Sequence, residues 1–198
     1  MKEKPIFEQV LIRLIQQPHV GLKLLIGAGL CFIPVVNLFA FGYLYRFSAQ
    51  LRRTGQLRLP EWHDWSGLFI DGVKFALVWL VYWLLPLVLT GALSLVLLAW
   101  GLGALAYLLM SAMFALVSML FCTALYRLQM RSEYTDLLDL PLIAGMTYQK
   151  RIDFLVPVLV FGGICVFMLP IYGFALFGGL LLLLAQTNLC YRSLESSQ

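Results

Sequence analysis

Three uncharged stretches dominate this chain: 22 residues between Lys23 and Arg46, 52 between Lys74 and Arg127, and 38 between Asp153 and Arg192. A helix needs about 20 apolar residues to cross about 30 Å of hydrocarbon. The second stretch is long enough for two crossings, and the third just suffices for two short ones turning near Pro170. All 14 Lys and Arg residues fall outside these stretches. Composition agrees, because only 12% of residues are charged and mean hydropathy is +0.89. A soluble domain is about a quarter charged, since water must solvate its surface. The expected fold is an all-α integral membrane protein of helical hairpins, with four to five transmembrane helices and amphipathic interfacial helices.

Charge bias sets the expected topology. Cytoplasmic loops are enriched in Lys and Arg close to the span ends. Lys2, Lys4, Arg13 and Lys23 precede the first stretch, and Arg46, Arg52, Arg53, Arg58 and Lys74 follow it. Arg127, Arg131, Lys150 and Arg151 follow the second, and Arg192 follows the third. The turns expected near Trp100-Gly101-Leu102-Gly103 and near Pro170 carry no charge. Every charged segment is therefore expected on the cytoplasmic side of a cytoplasmic membrane. Twenty-two residues suit one crossing, which would leave the basic N-terminal segment outside. A break at Ile33-Pro34-Val35-Val36-Asn37 would instead make a re-entrant hairpin, since proline removes a backbone donor and clashes with the preceding turn. Both forms remain open. The N-terminal stretch reads as an amphipathic helix rather than a cleavable signal peptide.

An offset of 81 residues aligns Leu44-Tyr45-Arg46 with Leu125-Tyr126-Arg127, Thr54 with Thr135, Leu57 with Leu138, and Leu59-Pro60 with Leu140-Pro141. A third Tyr191-Arg192 closes the last stretch. Tyrosine suits the headgroup interface, and arginine beyond it can bind phosphate or snorkel. Arg46, Arg127 and Arg192 are accordingly expected at equivalent sites, with Tyr45, Tyr126 and Tyr191 beside them. The entries to the stretches match loosely. Ile6, Phe7, Val10, Leu11, Leu14 and Ile15 recur at helical spacing before Pro18. Glu61-Trp62-His63-Asp64-Trp65 is expected to open a helix whose Trp62, Trp65 and Phe69 share an interfacial face, and Leu142, Ile143 and Met146 form a weaker stripe. Three units follow from this reading within a single membrane domain, at 5–46, 60–127 and 140–192.

The segment from Ile33 to Lys74 carries a more specific pattern. Ile33-Pro34-Val35-Val36-Asn37, Gly42-Tyr43-Leu44 with Arg46, Leu59-Pro60-Glu61-Trp62 with Asp64-Trp65, and Leu68-Phe69 with Asp71-Gly72 and Lys74 follow in order and spacing. In these residues the chain resembles an uncharacterised family of prokaryotic membrane proteins, domain of unknown function 4013. The resemblance implies a multi-pass prokaryotic membrane protein. It implies no activity, cofactor or catalytic residue.

Little in the sequence points to chemistry. His63 with Glu61, Asp64 and Asp71 is the one polar cluster of interest. Asp71 can pair with Lys74 at i,i+3, and Glu61 suits a positive helix N-terminus. An interfacial helix explains this cluster more simply than a metal or catalytic site. Cys31, Cys122, Cys165 and Cys190 lie inside the apolar stretches and form no C-x-x-C pair, so they read as small hydrophobes. No catalytic residue, cofactor or metal is expected. The leading expectation is a non-enzymatic membrane scaffold or accessory subunit of a larger membrane complex, organising lipid locally. A transporter or channel for a neutral or lipidic solute is the alternative. Expected partners are anionic lipid headgroups and other membrane subunits or further copies of the chain, not nucleic acid.

Overall fold

Polypeptide this apolar satisfies its backbone within its own helices, and the computed structural model shows helices without a strand among the described residues, 7–131 and 137–195. Expectations resting on Lys2, Lys4, Ile6 and Thr135 lie outside these residues. The helices are α1 (Phe7–Ile15), α2 (Val20–Cys31), α3 (Asn37–Thr54), α4 (Trp65–Trp79), α5 (Leu85–Ala99), α6 (Gly103–Arg131), α7 (Leu140–Phe167) and α8 (Tyr172–Glu195). Three continuous segments are long and apolar enough to cross a membrane: Trp65–Ala99, Gly103–Met130 and Leu169–Arg192. Val20–Cys31 is apolar but shorter. The sequence suggests four to five crossings. The difference arises because α2 is short, while α3 and α7 are long enough but carry charged residues, Arg46, Arg52 and Arg53 in α3 and Lys150, Arg151 and Asp153 in α7.

Contacts divide the chain into two compact units, Met1–Ala76 with Ile152–Gln198, and Leu77–Arg151. In the first, α2 and α3 form an antiparallel hairpin. Its turn falls at the Pro34 position expected from sequence, where Val35 is forced to a φ of 70°. A β-branched residue rarely adopts that region. At the opposite end, Gln17 and Lys23 reach the chain just beyond α3. Helix α8 runs parallel to α3, with Asn188 bonded to Ser48 at 2.8 Å and Arg192 bonded to the Arg52 carbonyl at 2.9 Å. It runs antiparallel to α2, since Gly27 faces the Phe177 ring and Phe32 packs edge-on against Tyr172. A side chain at Gly27 would overlap that ring.

Helices α3 and α4 approach closely at an antiparallel crossing. A Cβ at Gly42 would overlap the Leu68 carbonyl, and a Cβ at Gly72 would overlap the Leu38 carbonyl. The two glycines thus play the same part from opposite helices. Small residues allow such backbone contact and are the usual device of helix packing in lipid. Phe41 and Phe75 stack beside the crossing at 5.0 Å.

In the second unit, α5 and α6 form a hairpin that turns at Trp100–Leu102, with Gly101 at a φ of 77°. A π-helical turn, Leu80–Leu84, precedes Pro86. Proline lacks an N–H and crowds the carbonyl four residues before it. The wider turn makes room, and Leu85 N–H donates five residues back to the Leu80 carbonyl. Trp83 donates to Ser118 at 3.1 Å, Thr147 to Thr123 at 2.9 Å, and the Tyr82 hydroxyl to the Leu137 carbonyl.

Two expectations need correction. The Leu142-Ile143-Met146 stripe is not a separate interfacial helix, because α7 continues through it as far as Phe167 with Pro157 inside. The residues matched by the 81-residue offset also differ locally. Pro60 lies in a loop well before α4, whereas Pro141 lies in the first turn of α7.

Candidate functional site

Ionisable groups concentrate at one end of the first unit, around the segment 55–64 that joins α3 to α4. Helix α3 ends at Gly55, whose φ of 68° lets its N–H return to the Leu51 carbonyl at 2.8 Å. Beyond it, three carbonyls are taken by side chains from elsewhere in the unit. Gln17 Nε2 donates to Leu57 at 2.7 Å, Lys23 Nζ to Leu59 at 3.3 Å, and the Tyr43 hydroxyl to Pro60 at 2.9 Å. The irregular strand of chain is strapped down carbonyl by carbonyl. That is what irregular backbone needs where protein shields it from water.

Lys23 is the least expected member, being only 6% exposed although it lies on α2. Its ammonium is matched by Glu61 Oε1 at 2.7 Å. That hydrogen bond holds the Glu61 carboxyl below the usual carboxylate range. Trp62 stacks on Tyr43 with ring centroids 4.2 Å apart and faces Phe177 at 6.2 Å.

Arg46 closes the other side. It donates from Nε to Asp71 at 2.9 Å, from Nη2 to Asp64 at 2.7 Å, and from Nη1 to the His63 carbonyl at 3.4 Å. Asp71 also accepts from Lys74 at 3.2 Å, as its i,i+3 spacing suggests, and the Lys74 ammonium lies 5.8 Å from the Tyr45 ring. Asp64 caps α4, accepting from Gly67 N–H at 3.2 Å while its own φ is 55°. The hydrogen bond from Arg46 holds the Asp64 carboxyl below its usual range. Any side chain at Gly67 would overlap the Arg46–Asp64 pair.

The helix at Trp62–Trp65 therefore starts later than its sequence suggests. Asp64 rather than Glu61 occupies the helix N-terminus, and Glu61 pairs with Lys23 instead. Trp62 lies in the strapped segment and Trp65 in α4, so they do not share a helix face. They still stack, at 6.0 Å, and Trp65 is 48% exposed. His63 also lies outside the helix, with Nδ1 3.1 Å from the Glu61 carbonyl.

The three Tyr-Arg pairs are placed differently from one another. Arg46 turns its guanidinium into the chain, and Tyr45 is half-buried. In α8, Tyr191 is buried edge-on against Phe154 at 5.4 Å. Arg192 lies level with Arg52, six residues beyond Arg46 on the parallel α3, or about 9 Å at 1.5 Å per residue. Arg46 and Arg192 thus stand at different levels along the parallel α3 and α8. In the second unit, Tyr126 is buried and Arg127 half-buried on α6. Among the described residues, no three His, Cys, Asp or Glu side chains converge.

Sequence reasoning missed the Lys23–Glu61 and Arg46–Asp64 pairs. They join residues 38 and 18 positions apart, and no helical spacing reveals such a pairing. The signal available was the family-like pattern itself, which carries Arg46, Glu61, Asp64 and Asp71 together.

No curated protein and no solved structure matches the chain. A family model described as protein of unknown function (DUF4013) matches residues 26–132, taking in α3, the strapped segment, α4, α5 and α6. The match covers more than half of the chain, and the chain belongs to that uncharacterised family.

Proposed function

We propose that this protein is a non-enzymatic membrane scaffold or accessory subunit, resident in a prokaryotic cytoplasmic membrane with its charged end on the cytoplasmic side. The observation that carries the reading is the contrast between that end and the helix surfaces. At the charged end, Lys23, Arg46, Glu61, Asp64 and Asp71 engage one another and the backbone, so their charges serve to hold the chain in shape. Along the helices, large apolar side chains such as Ile70, Leu77, Leu89, Leu95 and Leu108 face outward. Hydrocarbon or the apolar face of another subunit is the natural solvent for them. In this reading the α2–α3 hairpin is re-entrant, with both ends at the charged side, and the amphipathic α1 lies at the interface.

Native purification of the full chain in mild detergent tests the proposal. A stoichiometric membrane partner recovered with the protein is the expected result. A solitary, stable protein that supports solute flux in vesicles would replace the subunit reading with transport.

A further inference from the structure

The first unit contains a partly open cleft of about 220 Å³ between α1, α2, the end of α7 and α8. Its lining residues are all apolar and include Leu14, Leu24, Ala28, Phe174, Gly178 and Leu182. Water would find no hydrogen-bonding partner there, and apolar cavities stay dry or take apolar guests. The lining residues of α8 run from Phe174 to Leu182, about 12 Å along the helix axis at 1.5 Å per residue. The cleft is therefore long as well as apolar, the shape of a hydrocarbon chain.

One end of the cleft is electrostatically distinct. Ile15 and Val20, which line it, flank the turn between α1 and α2 that carries His19. The bond from Gln17 to the Leu57 carbonyl brings the strapped segment, with Arg58, to the same turn. Arg13, His19 and Arg58 are exposed there. The nearby carboxylate, Glu61, is already matched by Lys23. This end thus offers positive charge beside an apolar slot.

We propose that the cleft holds one acyl chain of an anionic bilayer phospholipid, with its headgroup at the α1–α2 turn beside Arg13, His19 and Arg58. The second acyl chain remains in the bilayer through the open side. The inference deepens the lipid-organising part of the function proposed above. It rests on residence in a bilayer and not on a protein partner.

Gly178 supplies the means of testing it, because a Cβ there meets nothing within 4 Å. Gly178→Leu should project its side chain into the cleft from an unobstructed Cβ position. Gly29→Leu is the control, since Gly29 is also free of neighbours within 4 Å but does not line the cleft. The full chain is reconstituted in vesicles of phosphatidylglycerol and phosphatidylcholine. A trace of phosphatidylglycerol carries a photoactivatable group on one acyl chain, and labelled peptides are mapped by mass spectrometry. Labelling should concentrate on Leu24, Phe174 and Leu182 over the exposed Leu89 and Leu95 of α5. It should fall several-fold when the probe is phosphatidylcholine, and several-fold in Gly178→Leu but not in Gly29→Leu. Equal labelling of the cleft and α5, or equal labelling by the two probes, overturns the proposal. So does undiminished cleft labelling in a folded Gly178→Leu protein. Should that variant fail to fold, the label map and probe comparison on the unaltered chain still decide. A protein that labels as expected but has no protein partner would refute the subunit reading alone.

Discussion

Replacing Gly42 or Gly72 with Ala should destabilise the protein, although alanine is the better helix former. Glycine inside a helix costs about 1 kcal/mol relative to alanine. At an unobstructed position the substitution should therefore stabilise by about that amount. Gly91 in α5, whose Cβ position meets nothing within 4 Å, is such a position. At the α3–α4 crossing the obstacle is backbone: the Leu68 carbonyl faces Gly42, and the Leu38 carbonyl faces Gly72. No rotamer change can move a carbonyl, so the helices must separate. Overpacking of this kind costs about 1–3 kcal/mol. The separation also loosens the Phe41–Phe75 pair at 5.0 Å, where such aromatic contacts contribute about 0.5–1.5 kcal/mol. After subtraction of the helix-propensity gain, each alanine should destabilise by about 0.5–3.5 kcal/mol. For a chain of this size, a kcal/mol lowers the unfolding midpoint by about 2–4 °C. Because one separation relieves both clashes, Gly42→Ala/Gly72→Ala should cost less than the sum of the singles. Thermal unfolding in mild detergent, followed by tryptophan fluorescence, measures all four variants. Gly91→Ala should move opposite in sign to the crossing variants. If Gly42→Ala and Gly72→Ala both melt at or above the unaltered protein, the backbone contact at the crossing is not real.

Lys23→Ala should free the strapped segment, because it leaves the Leu59 carbonyl without its donor, a loss of about 1–3 kcal/mol. Faster hydrogen exchange at residues 56–63 is the readout, and unchanged exchange would refute the strap. The Glu61 and Asp64 carboxyls are both held below their usual range by the hydrogen bonds from Lys23 and Arg46, so their contribution is complete above the unfolded-state values, about pH 4. It is lost as pH falls through the lower folded-state values. The thermal midpoint should drop across that acid window, and Glu61→Gln/Asp64→Asn should flatten the profile; parallel profiles would exclude these pairs as the cause. For topology, a single cysteine at Gln56 should be protected from an impermeant thiol reagent outside whole cells, after replacement of the four native cysteines. One at Gly101 should react, and labelling at Gln56 would reverse the assigned orientation.

What could be read in the sequence was set by lipid and by local backbone chemistry. The uncharged stretches became helices because a helix satisfies its backbone within one continuous apolar segment. The breaks fell at Pro34, Gly101 and Pro170, where a missing N–H or a positive φ ends a helix locally. Local chemistry also misled. Glu61 looked like a helix start because it begins an acidic, aromatic cluster after Pro60, yet Asp64 ends in the capping position. Leu142, Ile143 and Met146 looked like a helix of their own and instead belong to α7, which runs on through Pro157 to Phe167. The strap was invisible because its bonds depend on how α2, α3 and α8 pack. A periodicity argument contains no term for a lysine on one helix meeting a carboxylate 38 residues away.

Beyond the Ile33–Asn37 turn, the residues that carry the family resemblance gather at one joint. Gly42 and Gly72 let α3 and α4 touch, Arg46 bridges them through Asp64 and Asp71, and Trp62 closes the packing over Tyr43. Each has a structural task that a different residue type would fail. Glycine is required by the opposing carbonyls. Arginine is required to reach two carboxylates at once, which a lysine with its single ammonium does not match. A pattern of this kind specifies how a hairpin is joined to the next helix and is independent of what the hairpin binds. The pattern therefore accounts for the joint in this chain and not for a ligand. The lipid cleft lies mostly outside the matched region, with Phe174, Gly178 and Leu182 all beyond residue 132. Arg46→Lys should consequently disturb α3–α4 packing while leaving acyl-chain labelling of the cleft in place, and Gly178→Leu should do the reverse. Loss of both properties in either variant would show that joint and cleft form one cooperative structure.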